Sequence, residues 1–513
     1  MGRQDRYRPV RWCGVCAALM LAMASLALPA QALPYDTNNL TTYNYTSDGE
    51  AVPTPAAYIP SKRLDFRDFG AQASFQITDM ATQGDNTYIL DGDNGRVIIL
   101  DRTFQVTGII GGGEDAALQL SGPEGLYAVR DEDTDKVELY IADTKNARVV
   151  VCDTDGAILS DYTNPGIKVV GEEVKYEPSK IAVDKAGRMF VVSRNVNRGL
   201  VELDSSGKFS GFMGAPKVQV NWATYIYRIF ATEEQRKRME AYVPTEYNNV
   251  TVDPEGFVYA TIGTLNSAAL RSVVAGKLDD GYVTPIKKLN SSGDDILARH
   301  GFYAPIGDLK FTGENASIIV DVSVRENGMY SLADDRHGRI FTYDKNGNLL
   351  YIFGGKGKQI GSFSSISSIA HLGDRILVGD KNGTVTVFEP TAYGRYINEA
   401  ANQEFLGNYE LAETYWDKAL ECDANLYTAY MGKGKSEYRL GNYKSAMAYF
   451  RVVGETEQYS KAKSMVRMEL LTEWMAPLII GVLALITGLT VLTVLRRRRK
   501  RAGNGRGKDT GTE

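Results

Sequence analysis

YIADTKNARVVVCDTDG, residues 140–156, carries the pattern that decides the fold. A β-branched and aromatic strand runs to a turn opened by Asp143, a second strand follows from Arg148, and a further turn closes on Gly156. The same order returns as YILDGDNGRVIILD at 88–101 and as YSLADDRHGRIFTYDKNG at 330–347. Looser copies are FVVSRNVNRGLVELDSSG at 190–207 and ILVGDKNGTVTVFEP at 376–390. Upstream of several copies lies a further short strand, as in EPSKIAVDKAGRMFVV at 177–192 and NNVTVDPEGFVYAT at 248–261. Downstream comes a glycine-rich exit such as IIGGG at 109–113 or YIFGGKGKQIGSF at 351–363.

Working outward from this unit, four short strands make one twisted antiparallel sheet that cannot cover either of its own faces. Radial stacking of such sheets buries both faces and leaves only short edges, which is the propeller solution. Strand anchors near 88, 140, 190, 257, 330 and 376 predict six blades over 64–390. In the turns, Asp91, Asp143 and Asp334 can accept backbone N–H bonds. Arg96, Arg148 and Arg339 follow each by five residues and are expected to pair with them, as structural corners repeated from blade to blade.

The run Pro-x-x-Ile-Ala-Val-Asp, then Gly and a hydrophobic strand, then the Asp-x-x-Asn-x-Arg turn, then Phe-Gly-Gly-x-Gly resembles the NHL-repeat family of β-propellers. The resemblance covers about 64–390 and implies a six-bladed ring. The fourth unit departs from it: its turn lacks the Asp and Arg, and Leu265–Lys288 separates its strands. Propeller lyases related to this family hold zinc with histidines, and the histidines of this chain are His300, His337 and His371. His337 falls in the turn slot of Asn94 and Asn146, away from a central channel, and catalytic zinc wants three ligands and an open position. Lactonase-type propellers hold a divalent cation with Glu, Asn and Asp in the channel, and Glu124 and Asn249 stand near the starts of inner strands. No Gly-x-Ser-x-Gly, phosphate-loop or dinucleotide motif is present. The expectation is a non-enzyme with no cofactor and no metal; a lactonase or lyase activity is the alternative.

Between the third and fourth units lies an insertion, 215–245. Thr232–Gln235 reads as a capping box and Pro244 as a stop. Ahead of it, Trp222, Tyr225, Ile226, Ile229 and Phe230 recur at helical spacing. Trp222, Tyr225, Ile229 and Phe230 are the candidate partner-binding residues, on a helix packed over the propeller.

After Pro390 the period changes. At a 34-residue offset Ala400 matches Gly434, Gly407 matches Gly441, Asn408 matches Asn442, Tyr409 matches Tyr443, Ala412 matches Ala446, and Trp416 matches Phe450. This resembles tetratricopeptide (TPR) repeats, in which small residues let paired helices cross closely. The reading is two repeats plus a capping helix over 394–473, between the propeller and the next segment.

That segment, WMAPLIIGVLALITGLTVLTVL at 474–495, carries no charge, and about 20 apolar residues span a hydrocarbon core. Five arginines and a lysine follow at 496–501, marking a cytoplasmic flank ahead of the basic tail that ends at 513. At the other end, Arg3, Arg6, Arg8 and Arg11 precede an apolar run and Pro29-Ala30-Gln31-Ala32, the form of a secretory signal peptide over 1–32. Residues 33–63, rich in Thr, Asn, Tyr and Pro, read as an extended linker. The expected layout is a single-pass type I membrane protein with its bulk outside the cytoplasm.

The formal net charge is −5; residues 1–11, four arginines against Asp5, supply +3 and the 496–501 block +6, so the exported part carries −14. Such a surface does not seek nucleic acid. The functional expectation is a recognition scaffold holding a membrane-associated protein partner through propeller and helical surfaces, as an accessory subunit of an envelope transport or sensing complex. The alternatives are a gluconolactonase-type hydrolase and a receptor for a small glycan or peptide bound in the channel.

Overall fold

The computed structural model describes residues 41–505, except 47, 71–74, 114–116, 132–133, 164, 170–171, 174, 197, 215–245, 264, 276, 278–282 and 300–303. The insertion 215–245, with Trp222, Tyr225, Ile229 and Phe230, lies outside the described residues, as do the signal segment and His300.

Six antiparallel sheets stand around one axis. Blade one runs Ile77–Gln83, Asn86–Asp91, Arg96–Leu100 and Val106–Gly111; blade two Gly125–Arg130, Val137–Asp143, Arg148–Asp153 and Ile158–Thr163. Blade three runs Glu177–Val183, Met189–Arg194, Leu200–Leu203 and Phe209–Met213. Blade four has Tyr247–Val252, Val258–Ile262 and Ile286–Leu289. Blade five has Ile319–Val324, Tyr330–Asp334, Arg339–Tyr343 and Leu349–Gly354; blade six begins with Ile366–Leu372, Arg375–Asp380 and Thr384–Pro390. The first strand of each blade contacts the first strand of the next, closing a ring around a channel.

Strand alternation explains why the blades stack. On Arg148–Asp153, Val150 and Cys152 pack toward blade one while Val149 packs toward blade three. Each blade thus feeds two cores, and every large core cluster lies between neighbouring blades or beneath the helices.

Among the described residues the irregular fourth unit has three strands, and a helix, α1 (Ser267–Val274), occupies the connection between the last two. The Asn266 side chain caps it by accepting from the N–H groups of Ala268 and Ala269 at 3.0 Å. Leu270 and Val273 of this helix are buried in the core toward blade five.

The linker expected over 33–63 is overturned for residues 41–63, which are built into the propeller. Tyr43–Tyr45 and Ala51–Pro53 form a hairpin on the outer edge of blade five. Tyr58–Leu64 is the outer strand of blade six, paired with Thr384–Pro390 from the far end of the ring. Pro60 hid it, yet proline is tolerated on an edge strand.

Beyond Pro390 come α2 (Ala392–Leu406), α3 (Tyr409–Cys422), α4 (Tyr427–Arg439), α5 (Tyr443–Val452) and the 50-residue α6 (Thr456–Gly505). The 34-residue offset is structural. Gly407 and Gly441 both end a first helix with positive φ, at 80° and 87°. Ala412 and Ala446 are buried, as are Trp416 and Phe450. A side chain on Gly432 would strike the Trp416 ring, and one on Gly434 the Phe450 ring.

The helical layer is not a separate stalk. Ile397, Ala400, Trp416 and Leu426 share one core with Tyr58, Tyr351, Phe353 and Phe388 of blades five and six. Asn398 joins them by hydrogen bonds with Tyr351 and Tyr58, both 2.8 Å. From the stack, with Ala462 still fully buried, α6 continues into the exposed apolar stretch Trp474–Leu495. It is long and apolar enough to cross a membrane.

Candidate functional site

The turn motif behaves as a corner. Asp91 Oδ2 accepts from Asn94 Nδ2 at 2.7 Å and Arg96 Nε at 2.9 Å. Asp143 repeats this with Asn146 at 2.8 Å and Arg148 at 2.9 Å. In blade five, His337 takes the asparagine's place, its Nδ1 at 2.7 Å from Asp334 Oδ2. The expected Asp334–Arg339 pair does not form. Arg339 turns instead to Asp308, buried in the connection before blade five, and to the Tyr43 hydroxyl at 2.9 Å. The imidazole already satisfies Asp334, so the arginine is released to a second buried carboxylate.

The channel is where chemistry-bearing groups converge. In five inner strands the register shifts by one residue, between Ile77/Asp79, Pro178/Lys180, Tyr247/Asn249, Ile319/Asp321 and Ile366/Ser368. A bulge re-aims the following side chain, so Asp79, Lys180, Asn249, Asp321 and Ser368 occupy one slot in successive blades. Blade two keeps its register and has Gly125 in that slot, where a Cβ would come 2.7 Å from Lys180 Cα.

Asp79, Asn249 and Asp321 line a cavity of about 170 Å³, and Lys180 and Ser368 join them in a belt by bonding to Asp79. Asp79 Oδ2 accepts from Lys180 Nζ and Leu126 N–H, both at 2.9 Å, and Oδ1 from the Ser368 hydroxyl at 3.1 Å. Asp321 Oδ1 accepts from Asn249 Nδ2 at 2.6 Å, and Oδ2 from the Ile369 N–H at 2.6 Å. The belt therefore cross-links inner strands of all six blades and holds two buried carboxylates against one ammonium.

Burial, and next the nearby Asp79 charge, push the Asp321 carboxyl up to about 7, against the pull of Lys180 and the Ile369 N–H. The folded chain thus holds this proton more tightly than the unfolded chain. The resulting stabilisation is fully present below the ordinary carboxylate range and is lost as pH rises through about 7. In urea titrations at a series of pH values, the stability difference between wild type and Asp321→Asn should shrink or change sign from pH 5 to pH 8. A difference that is constant across that interval removes the assignment.

Of the residues singled out for metal chemistry, Asn249 does face the channel, but its amide is bound to Asp321. Glu124 is held by Arg194 at 2.6 Å instead. His371 sits between the Ser323 hydroxyl at 2.8 Å and the Ser331 hydroxyl at 3.2 Å, its pKa pushed well down by burial and then by the Arg325 charge. Among the described residues no three His, Cys, Asp or Glu side chains converge as metal ligands. Sequence reading found Asn249 and missed the rest of the belt. The signal was there: one polar or glycine residue at the same slot of each otherwise apolar inner strand.

No protein-family model matches the chain, and no curated protein matches it. Solved structures similar to it include virginiamycin B lyase from Staphylococcus aureus, at 11% identity and a TM-score of 0.38, covering 65% of this chain and 100% of that one. A catalytically inactive form of that lyase with quinupristin matches with the same values. A streptogramin B lyase matches at 8% identity and a TM-score of 0.38, covering 66% and 100%. The six sheets described above, not these likenesses, define the fold.

Proposed function

We propose that the protein is a membrane-anchored recognition scaffold: an NHL-type propeller fused to a TPR-type helical pair, held outside the cytoplasm by α6. The observation that carries this reading is the core shared by blades five and six with α2, α3 and α4, to which α6 is joined through a second core with α4 and α5 before it continues into its apolar stretch. A fused core fixes the propeller relative to the anchor, as a platform requires. The channel belt supports it too, because its carboxylates are bonded to neighbouring strands and so brace the ring.

The helical layer leaves Phe405, Leu406, Leu411, Leu440 and Val452 exposed, a surface suited to a protein partner near the membrane. A photo-crosslinking residue at Leu411 or Leu440, in full-length protein in its native membrane, should give one discrete adduct with a membrane protein. L440E should abolish the Leu411 adduct and L411E the Leu440 adduct, and a crosslinker at Leu159 on blade two should not produce either. Identical adducts from all three positions, or none, would sink the scaffold reading.

A gluconolactonase-type hydrolase is the second reading, favoured by the Asp321 carboxyl near neutrality beside Lys180 in the channel. Turnover of a lactone panel by the purified full chain, lost in Asp321→Asn, would establish it over the scaffold.

A further inference from the structure

A cavity of about 390 Å³ opens where blade five, the helical pair and the foot of α6 meet. That lies at the small end of the ~300–1,000 Å³ that ligand sites occupy. Its polar wall is cationic: Lys345 comes from the last turn of blade five, Lys435 and Arg439 from successive turns of α4, and Lys461 from α6. Lys461 is paired with Glu457 at 2.6 Å. Lys345, Lys435 and Arg439 make no ion pair among the described residues; Lys345 lies over the Phe405 ring at 4.7 Å.

The one carboxylate in the wall, Glu404, accepts from Trp416 Nε1 at 2.6 Å; burial raises its pKa while the Lys435 and Lys345 charges pull it back, and it makes no ion pair with any of the four cations. Tyr409, Tyr438 and Phe450 complete an aromatic side. A concentration of positive charge around a cavity is unexpected on a chain whose exported part is strongly negative. Like charges held together without partners repel, and a bound oxyanion relieves that repulsion while accepting several charge-assisted hydrogen bonds.

We infer that this junction binds a small molecule carrying phosphate or carboxylate groups, with Lys345, Lys435 and Arg439 as its anion contacts. The inference rests on the recognition reading and supplies it with a ligand class. The site is composite: neither the propeller nor the helical pair holds it alone, so occupancy would be sensed at their shared core. A lipid headgroup does not fit, because Lys461 stands 13 residues before Trp474, about 20 Å along a helix at 1.5 Å per residue.

The test uses full-length protein in phosphatidylcholine nanodiscs, titrated calorimetrically with sodium pyrophosphate and with sodium citrate at near-physiological salt. Saturable binding of at least one anion is expected, weakened at least ~10-fold by K435Q/R439Q and separately by K345Q, and unchanged by R102Q on blade one. Pyrophosphate alone would assign a phosphate ligand, citrate alone a carboxylate ligand. Thermal unfolding without ligand checks that each variant is folded; K345Q, on a propeller turn, keeps the test usable where the α4 variant is not. No saturable binding of either anion, or equal weakening by R102Q, overturns the inference. A Leu411 adduct that persists without anion binding would retain the scaffold and remove only this pocket.

Discussion

Deleting residues 41–64 is expected to leave no soluble, monomeric propeller. Tyr58–Leu64 is the outer strand of blade six, and with it the two ends of the ring are joined by backbone hydrogen bonds from Val385↔Leu64 to Pro390↔Tyr58. Its loss would expose the ladder of Thr384–Pro390 as a new edge, a template for pairing with other chains. It would also uncover the helical layer. Thr391 Oγ1 caps α2 and donates to the Ala56 carbonyl at 2.6 Å, Gly394 packs directly on the Ala57 carbonyl, and Asn398 donates to the Tyr58 hydroxyl at 2.8 Å. Size-exclusion chromatography, far-ultraviolet circular dichroism and dye binding to exposed apolar surface would read the outcome. A cooperative monomer that melts within a few degrees of wild type would show that the ring does not depend on this strand.

Arg339→Ala should cost about 3–5 kcal/mol, the usual penalty for stripping one partner from a buried ion pair. Asp308 is fully buried and Arg339 is 3% exposed. The same cluster takes in Tyr45, whose hydroxyl bonds Asp308 and accepts the Leu309 N–H at 3.1 Å, and Tyr43, whose ring lies 4.9 Å from the guanidinium. Without the guanidinium, the buried Asp308 carboxylate loses its counter-charge, and the Tyr43 and Tyr45 hydroxyls beside it carry none to replace it. The hairpin Tyr43–Tyr45/Ala51–Pro53 would loosen from blade five as a consequence. Replacing both charges by apolar residues, D308L/R339M, should be milder than the single change, because no charge is left without a partner. Urea denaturation at constant pH measures both; a loss below ~1 kcal/mol for Arg339→Ala contradicts the assignment.

That cluster also shows where sequence reasoning stopped. Asp91–Arg96 and Asp143–Arg148 were legible because each pair lies within one hairpin, five residues apart, and its geometry is local. Asp334–Arg339 has the same spacing and fails, because His337 holds Asp334 and Asp308 attracts Arg339 from outside the repeat. The channel belt was half legible. Each inner strand announces a polar or small residue at one position, but Asp79 meets Lys180 across an intervening blade, and no spacing along the chain foretells that contact.

The sequence by itself determined the strand-and-turn unit repeated to six blades, the paired helices at a 34-residue offset, and the uncharged run of 474–495. These are periodic patterns that neighbouring residues dictate through strand alternation, turn chemistry and helix spacing. Only the tertiary structure decided that the supposed linker closes blade six, that the corner arginine of blade five serves another carboxylate, and that the helical pair shares a core with the propeller. Each of those depends on which distant surfaces remain uncovered once the ring has formed. The unit quoted first, YIADTKNARVVVCDTDG, specifies a blade; what completes the ring is the strand at 58–64, far from it in sequence.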